Sequence, residues 1–125
     1  MTSNLSTLAP KTTFITPMIA TTPEAPYYAV IFTSVRTDGD RGYDAMSERM
    51  AALAELQPGY LGVESARNDT GITVSYWRDL ASIHAWKAQA EHLVAQQTGR
   101  SQWYAQYKTR IARVERDYGF EAATR

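Results

Sequence analysis

Apolar residues change their spacing several times along this 125-residue chain, and each change indicates a new structural element. The run Tyr27–Arg36 is rich in β-branched and aromatic residues and lies between Pro26 and an Asp-Gly-Asp turn at 38–40, which predicts a strand. From Gly42 to Gln57 the apolar positions recur at helical intervals, and Pro58-Gly59 ends the pattern. This second segment is therefore predicted to be a helix.

A hairpin and a second helix are predicted next. Residues Tyr60–Arg67 and Ile72–Trp77 alternate between two sets of side chains, and the Asn-Asp-Thr-Gly sequence between them tolerates positive φ. Asp79 can cap a helix whose apolar stripe extends to Val94. Alternation from Tyr107 to Tyr118 predicts a last strand.

The predicted order is β-α-β-β-α-β, which is typical of a ferredoxin-like α+β fold with four antiparallel strands and two helices on one face. In a single chain the other face of such a sheet and both of its edges are uncovered. The last strand also carries apolar residues on more than one side. We therefore expect a homodimer in which two sheets cover each other.

The N-terminal residues differ in composition from the rest of the chain. Residues 1–26 are rich in Thr, Ser, Ala and Pro and have almost no charge, yet Phe14, Ile15, Met18 and Ile19 form a small apolar cluster between prolines. We predict an N-terminal arm over residues 1–26 and one domain over residues 27–125. The arm is expected to lie on a partner subunit or, alternatively, on the core of its own chain.

Composition narrows the classes of function. The 13 basic and 13 acidic residues cancel, so there is no basic field to hold nucleic acid or anionic lipid. The absence of cysteine excludes disulfides, thiolate catalysis and cysteine-ligated metals, and the two histidines lack the spacing of a metal site. No apolar run approaches a membrane span, and the N-terminus lacks the pattern of a secretory signal. A cytoplasmic protein is expected.

Aromatic residues are concentrated between Tyr76 and Tyr107, a segment that holds all three tryptophans and both histidines. Tryptophan and tyrosine combine large apolar surfaces with a polar group that needs a partner, so this segment is compatible with a ligand pocket. A hydrophobic core joined to a dimer interface uses the same residue types. The spacing alone leaves both alternatives open.

Several short motifs follow one another from the middle of the chain onward: QPGYLGVES at 57–65, ITVSYW at 72–77, IHAWK at 83–87, EH at 91–92, AQ at 95–96, GR at 99–100 and WY at 103–104, with Tyr107. In this order they resemble the antibiotic biosynthesis monooxygenase domain, over roughly residues 27–120. The resemblance implies a dimeric α+β barrel. It also implies one of several activities, because the family includes cofactor-free quinone-forming monooxygenases, quinol monooxygenases and haem-degrading enzymes.

The resemblance implies a pocket between the sheet and the second helix. Trp86 matches the tryptophan that this helix carries in oxygenating and haem-degrading members, and with Trp103 and Tyr104 it could enclose a planar ring. Ser75 or Tyr76 could hydrogen-bond a substrate oxygen, although strand alternation lets only one of them face the pocket.

The resemblance also bears on cofactors. Haem-degrading members place the histidine that binds iron near the position of Gln96, and they carry a pocket asparagine on the first strand. This chain has no histidine at that position and no asparagine within Tyr27–Arg36. We therefore expect no cofactor and no metal, and we keep haem as the alternative.

His92 is the candidate catalytic base, because imidazole titrates near neutral pH. On one straight helix His92 would point away from the apolar stripe and would be an ordinary surface residue. If the helix instead breaks and restarts near Ala90, then His92, Gln96, Gly99 and Trp103 share one face and form a ligand wall.

These observations predict a cofactor-independent monooxygenase-like protein that uses O₂ on an aromatic, quinol or polyketide-like small molecule. Such chemistry needs a deprotonated substrate, a group that stabilises the resulting anion and a site shielded from water. Arg100 could be that group if it turns inward. A haem-binding monooxygenase and a non-catalytic small-molecule-binding protein of the same fold are the alternatives.

Overall fold

The structure is a computed structural model that describes residues 18–96 and 103–123. Its six elements follow in the predicted order: β1 (Tyr27–Arg36), α1 (Tyr43–Glu55), β2 (Tyr60–Arg67), β3 (Gly71–Trp77), α2 (Leu80–Gln96) and β4 (Tyr104–Val114). The strands form one antiparallel sheet in the order β2-β3-β1-β4. The ferredoxin-like α+β prediction is confirmed.

The last strand differs from its prediction at both ends, since alternation alone indicated Tyr107–Tyr118. In the structure β4 pairs with β1 along the whole length of β1, from Arg36 opposite Tyr104 to Tyr27 opposite Val114. The length of β4 is therefore set by the strand beside it. Residues after Val114 leave the sheet although their sequence continues to alternate.

Helix α2 runs unbroken from Leu80 to Gln96, so of the two alternatives left open by the sequence the straight helix is the one observed. The helix begins as predicted, because the Ser82 backbone N–H donates a hydrogen bond to Asp79 Oδ1 over 2.8 Å. Hydrogen bonds from the Ser82 side chain and backbone hold the pKa of Asp79 below its ordinary value. No glycine or proline occurs between Leu80 and Gln96 to interrupt the helix.

The two faces of the sheet have different surroundings. Trp77 stacks on Trp86 of α2, so Trp77 and its register partners Tyr28 and Tyr60 lie on the side that the helices cover. Alternation then places Tyr27 and Tyr76 on the opposite side. We call the two sides the helix side and the helix-free side.

Part of the N-terminal arm lies on the helix-free side of its own chain. The Ala20 backbone N–H donates to Glu64 Oε2 over 2.9 Å, and a Cβ at Gly62 would come within 2.9 Å of Ala20 Cβ. Met18 and Ile19 are 94% and 77% exposed. Phe14 and Ile15 lie outside the described residues.

The buried core is small and lies near the C-terminal end of α2. Met46 of α1, Leu93 of α2 and Trp103 form one buried cluster. At the other end of the sheet Trp77 is completely buried. Neither α1 nor α2, as far as the structure describes them, is long and apolar enough to cross a membrane.

Candidate active site

The space between the sheet and the helices is lined by side chains that stay partly exposed. Two neighbouring rows of sheet residues point towards the helices. One row contains Val30, Ser75 and Val63, and the next contains Phe32 and Thr73. All five remain half-buried, although a filled layer would bury them. We call this space the helix-side cleft. Its lining is completed by half-buried side chains of the two helices, namely Met50, Leu53 and Trp86.

One end of the helix-side cleft is built from stacked aromatic rings. The Trp77 and Trp86 rings lie 6.1 Å apart at 22° and are stacked, and Tyr60 meets Trp77 edge-on at 5.5 Å. Trp77 Nε1 donates to Ser75 Oγ over 2.9 Å, which orients that hydroxyl group. Burial raises the pKa of Tyr60, so its hydroxyl group stays protonated.

The other end carries a second aromatic group. Tyr104 lies edge-on to Phe32 at 5.5 Å and to Tyr43 at 5.8 Å, and Tyr107 contacts Phe32 at 5.3 Å. Burial, followed by a hydrogen bond with Tyr43, raises the pKa of Tyr104 well above its ordinary value. The Tyr104 hydroxyl group is therefore a stable hydrogen-bond donor at any physiological pH.

A positive charge lies beside this second group. Arg67 Nη2 donates to Ser34 Oγ over 2.6 Å, and Ser34 is only 1% exposed. The guanidinium lies against Gly71, where an added Cβ would come within 2.1 Å of it. The charge of Arg67 acts to lower the pKa of Tyr104. The row that contains Arg67, Gly71 and Ser34 ends in Tyr107, whose ring contacts Tyr104. Arg67 is thus a cation held at the edge of an aromatic wall.

Arg67 was missed by reasoning from the sequence. The available signal was its position in the hairpin, because the register opposite Arg67 is occupied by Gly71, which has no side chain. An arginine opposite a glycine can lie flat across the strand and reach the next one. Predicting this position for Arg67 requires the register of the strands, which a single sequence does not supply.

The predicted site residues do not converge as expected. Ser75 and Trp86 lie at the end with the stacked tryptophans, whereas Trp103 and Tyr104 lie at the other end. Trp103 packs with Leu93, two helical turns or about 10 Å along α2 from Trp86. Trp103 is 3% exposed and donates its indole N–H to the Arg41 carbonyl over 3.0 Å, so it fills the core.

His92 does not face the cleft, which corrects the prediction of a catalytic base there. It follows the buried Ile83 by nine residues, and at roughly 100° per residue it lies on the opposite side of the unbroken helix. His92 is accordingly exposed. The side chain of Gln96, together with Gly99 and Arg100, lies outside the described residues.

Tyr76 belongs to a different cavity, of about 350 Å³, on the helix-free side. Its hydroxyl group donates to Glu64 Oε1 over 2.8 Å, and the Tyr27 hydroxyl group donates to Asp117. Burial, followed by the hydrogen bond to Glu64, raises the pKa of Tyr76 to about 12. Three phenols, the third being that of Tyr118, and two carboxylates thus line this cavity, together with the arm residues Ile19, Ala20 and Thr22.

The helix-side cleft does not fit haem in the part of the chain that the structure describes. The sheet-facing residues of α2 that the structure describes include no histidine, and the exposed His92 is on the wrong side. Residues 18–96 and 103–123 also contain no group of three metal-ligating side chains. No step of the proposed chemistry is therefore assigned to a haem group.

Comparison with known proteins agrees with this architecture. The uncharacterized protein YqjZ of Bacillus subtilis (strain 168) is 49% identical over 108 residues, which span 85% of this chain and 95% of that protein. PA3566 from Pseudomonas aeruginosa shares the fold with a TM-score of 0.58 at 16% identity, covering 77% of this chain and 99% of that one. SnoaB, a cofactor-independent oxygenase from Streptomyces nogalater, has a TM-score of 0.58 at 13% identity, covering 78% and 100%.

The sequence profile of the antibiotic biosynthesis monooxygenase family matches residues 26–98, which span β1 to α2 and hence most of the helix-side cleft. With the order of elements, the sheet topology and a half-identical relative of nearly equal length, this match leads to one conclusion. The chain belongs to the antibiotic biosynthesis monooxygenase family.

Proposed function

We propose that this protein binds an aromatic, quinol or polyketide-like small molecule in the helix-side cleft and promotes its oxygenation by O₂ without a cofactor. The observation that carries the proposal is the Arg67 guanidinium held by Ser34, in the row of the sheet that ends in Tyr107. The Tyr107 ring in turn contacts Phe32 and Tyr104. An aromatic wall with a cation beside it fits a planar, electron-rich ring whose oxygen becomes an anion. The oxygenase activity stated for SnoaB supports the same direction.

The chemistry requires little from the protein beyond binding and electrostatics. An anthrone-type substrate loses a proton to give an electron-rich anion, which transfers one electron to O₂. The resulting radical and superoxide combine to form a C–O bond, and the peroxide loses water. A CH₂ group and one O₂ thus become a carbonyl group and one H₂O, so no external reductant is needed.

Arg67 is the residue that favours the first step. A guanidinium beside the substrate oxygen stabilises the anion more than the neutral phenol or enol, and therefore lowers the substrate's pKa. The named lining of the helix-side cleft includes no carboxylate or imidazole. The proton therefore passes to solvent, and Arg67 takes the anion-stabilising role that the sequence suggested for Arg100.

We also propose that the protein is a homodimer, formed through the helix-free side, and that the cytoplasm is its location. Ile72 and Val35 are 45% and 36% exposed on this side, and they continue a surface that includes Ile31 and Val74. A second copy would remove this apolar surface from water. This exposed apolar surface supports the proposed dimer.

Oxygen uptake with a panel of hydroquinones and anthrones tests the enzymatic function. Arg67→Gln should lower kcat/KM on the order of 10²-fold, which is typical for loss of one group that stabilises an oxyanion. It should also shift the pH profile to higher pH, because the substrate anion loses its counter-charge. Arg49→Gln, an exposed change on α1 with the same loss of charge, is the matched control.

The outcomes separate the alternatives. Tight binding of these compounds with no oxygen uptake would mean a non-catalytic binding protein. A Soret shift at one haem per chain would favour the haem-binding alternative. Equal activity of Arg67→Gln and wild type would remove Arg67 from the mechanism.

A further inference from the structure

One glycine lies in the middle of the row that holds Arg67. On the helix side, Gly71 of β3 pairs with Arg67 of β2 on one flank and with Ser34 of β1 on the other. A Cβ built on Gly71 would lie 2.1 Å from both Cζ and Nη2 of Arg67, and 2.6 Å from its Nε. The guanidinium therefore occupies the volume that a side chain at position 71 would fill.

The backbone does not require a glycine at this position. Gly71 is the first residue of β3, and unlike Gly59 it does not adopt a left-handed φ. Glycine is also a poor strand residue, because it has no side chain to pack and loses more conformational freedom on folding than any other residue. The remaining reason for a glycine here is space, and the group that uses this space is the Arg67 guanidinium.

Two small residues of the sheet restrain the guanidinium. Arg67 is exposed, whereas Gly71 and Ser34 beside it are buried. A long, exposed side chain samples many rotamers in water unless contacts restrain it. The hydrogen bond to Ser34 Oγ, 2.6 Å long, and the open space at Gly71 supply that restraint. The charge of Arg67 is thus fixed by its two neighbours in the row and not by burial of its own side chain.

We propose that Gly71 is a positioning residue for the oxygenation assigned to the helix-side cleft, because it lets the Arg67 charge lie flat against the sheet where the substrate anion forms. This inference rests on the proposed function. An electrostatic group aids a reaction only when it is held in advance where charge develops, and a misplacement of about 1 Å can cost on the order of 10²-fold in rate. The position of the guanidinium, as distinct from its charge, therefore controls how well the substrate anion is stabilised.

Gly71→Ala tests the position of the charge without altering the charge. The strand backbone accepts alanine, and the clashing atoms are the far end of a flexible, exposed side chain, so Arg67 should move while the fold is kept. The kcat/KM for the anthrone or hydroquinone that wild type oxidises should fall about 10- to 100-fold, and the pH profile should shift to higher pH, as for Arg67→Gln. Gly119→Ala, at an exposed glycine whose added Cβ meets nothing within 4 Å, is the matched control.

Two further variants separate the position of Arg67 from a general disturbance of the sheet. In the Arg67→Gln background, Gly71→Ala should change kcat/KM by no more than about 2-fold, because the group that it displaces is already gone. Ser34→Ala removes the hydrogen bond alone and should cause a smaller loss than Gly71→Ala, in the same direction. Losses that simply add in the double variant would overturn the proposal, because Gly71 would then act through the strand and not through Arg67.

A measurement without substrate distinguishes failure of this inference from failure of the proposed function. Hydrogen exchange of arginine side-chain N–H groups, followed by NMR, should be slower at Arg67 than at the exposed Arg49 in wild type, and equal at the two residues in Gly71→Ala. Equal exchange at both residues already in wild type, or wild-type kcat/KM and pH profile in Gly71→Ala, would overturn the positioning role alone. Absence of oxygen uptake by wild type with every compound of the panel would remove the proposed function, and this inference with it.

Discussion

Trp86→Ala should destabilise the protein by about half as much as Trp77→Ala, and this difference measures how open the helix-side cleft is. The two rings are stacked at 6.1 Å and 22°. Trp77 is 0% exposed, whereas Trp86 is half-buried. Truncation of Trp77 therefore removes packing contacts on all sides of the ring, whereas truncation of Trp86 removes contacts mainly on one face.

The magnitude follows from the buried area. A tryptophan side chain buries roughly 200 Å² when fully enclosed, so a half-buried one removes about 100 Å² from water, or about 2.5 kcal/mol at 25 cal/mol per Å². Because the space left by Trp86 opens into the cleft, little is added for an empty cavity. Trp86→Ala should thus lower the free energy of unfolding by about 2–3 kcal/mol. Trp77→Ala should lower it by about 5 kcal/mol, at the upper end for a buried aromatic.

Urea denaturation followed by far-UV circular dichroism gives both values. Affinity for an anthrone or hydroquinone, measured on the same samples, separates stability from binding. Trp86→Phe keeps an aromatic wall and serves as the matched control, with a smaller loss of both quantities. Added indole should bind Trp86→Ala and restore part of its stability, because the vacated space is accessible from the cleft.

The reasoning is refuted if Trp86→Ala and Trp77→Ala lower stability equally and Trp86→Ala leaves ligand affinity unchanged. In that case Trp86 is packed core, the space beside it is filled, and the proposed function loses its site. A large loss of affinity with a small loss of stability is the expected pattern.

Alkaline denaturation should show a fall in wild-type stability between pH 10 and about 12 that is smaller in Tyr76→Phe, because the raised pKa values of Tyr27, Tyr60 and Tyr104 remain. The pKa of Tyr76 is raised to about 12, so the folded state keeps a proton that the unfolded state releases from about pH 10. The stability that this proton contributes is fully present below pH 10 and is lost as the pH rises towards 12. Stability curves of wild type and variant that run parallel over this range would contradict the reasoning. Gly59→Ala should lower Tm more than Gly42→Ala. The two glycines have nearly the same positive φ, +86° and +83°, so the backbone strain of an alanine is matched. Only at Gly59 would the added Cβ also collide with Ser82 Oγ, at 2.1 Å. Equal Tm values would show that Ser82 moves freely. Deleting residues 1–24 should lower Tm and weaken the dimer, since it removes the hydrogen bond from Ala20 to Glu64. Unchanged melting and sedimentation would mean that the arm contributes nothing.

The candidate site was predictable only in part, and the reason differs between residues. Trp86 could be assigned to the helix side because helical spacing and the family motif both place it on the apolar stripe. His92 could not be placed without knowing whether the helix breaks, and the unbroken helix put it on the exposed side. The position of the Arg67 guanidinium depends on Gly71 and Ser34, and these residues become its neighbours only when β2, β3 and β1 pair in register.

By itself, the sequence determined the order of the elements and the fold class. Hydrophobic periodicity, the Pro58-Gly59 stop and the Asp79 cap are local features, so they act on the chain within a few residues of where they occur. The predicted bounds of β1 and β2 were therefore confirmed residue for residue.

The tertiary structure alone decided which side chains share a space. Pairing with β1 set the bounds of β4, and the register aligned Glu64, Val74, Ile31 and Arg110 across four strands that are distant in sequence. Such alignments arise from hydrogen bonds between strands, and a shift of one residue would move every side chain to the other face. A ligand site or a dimer surface built across a sheet is therefore a property of the register, which no local pattern in the chain encodes.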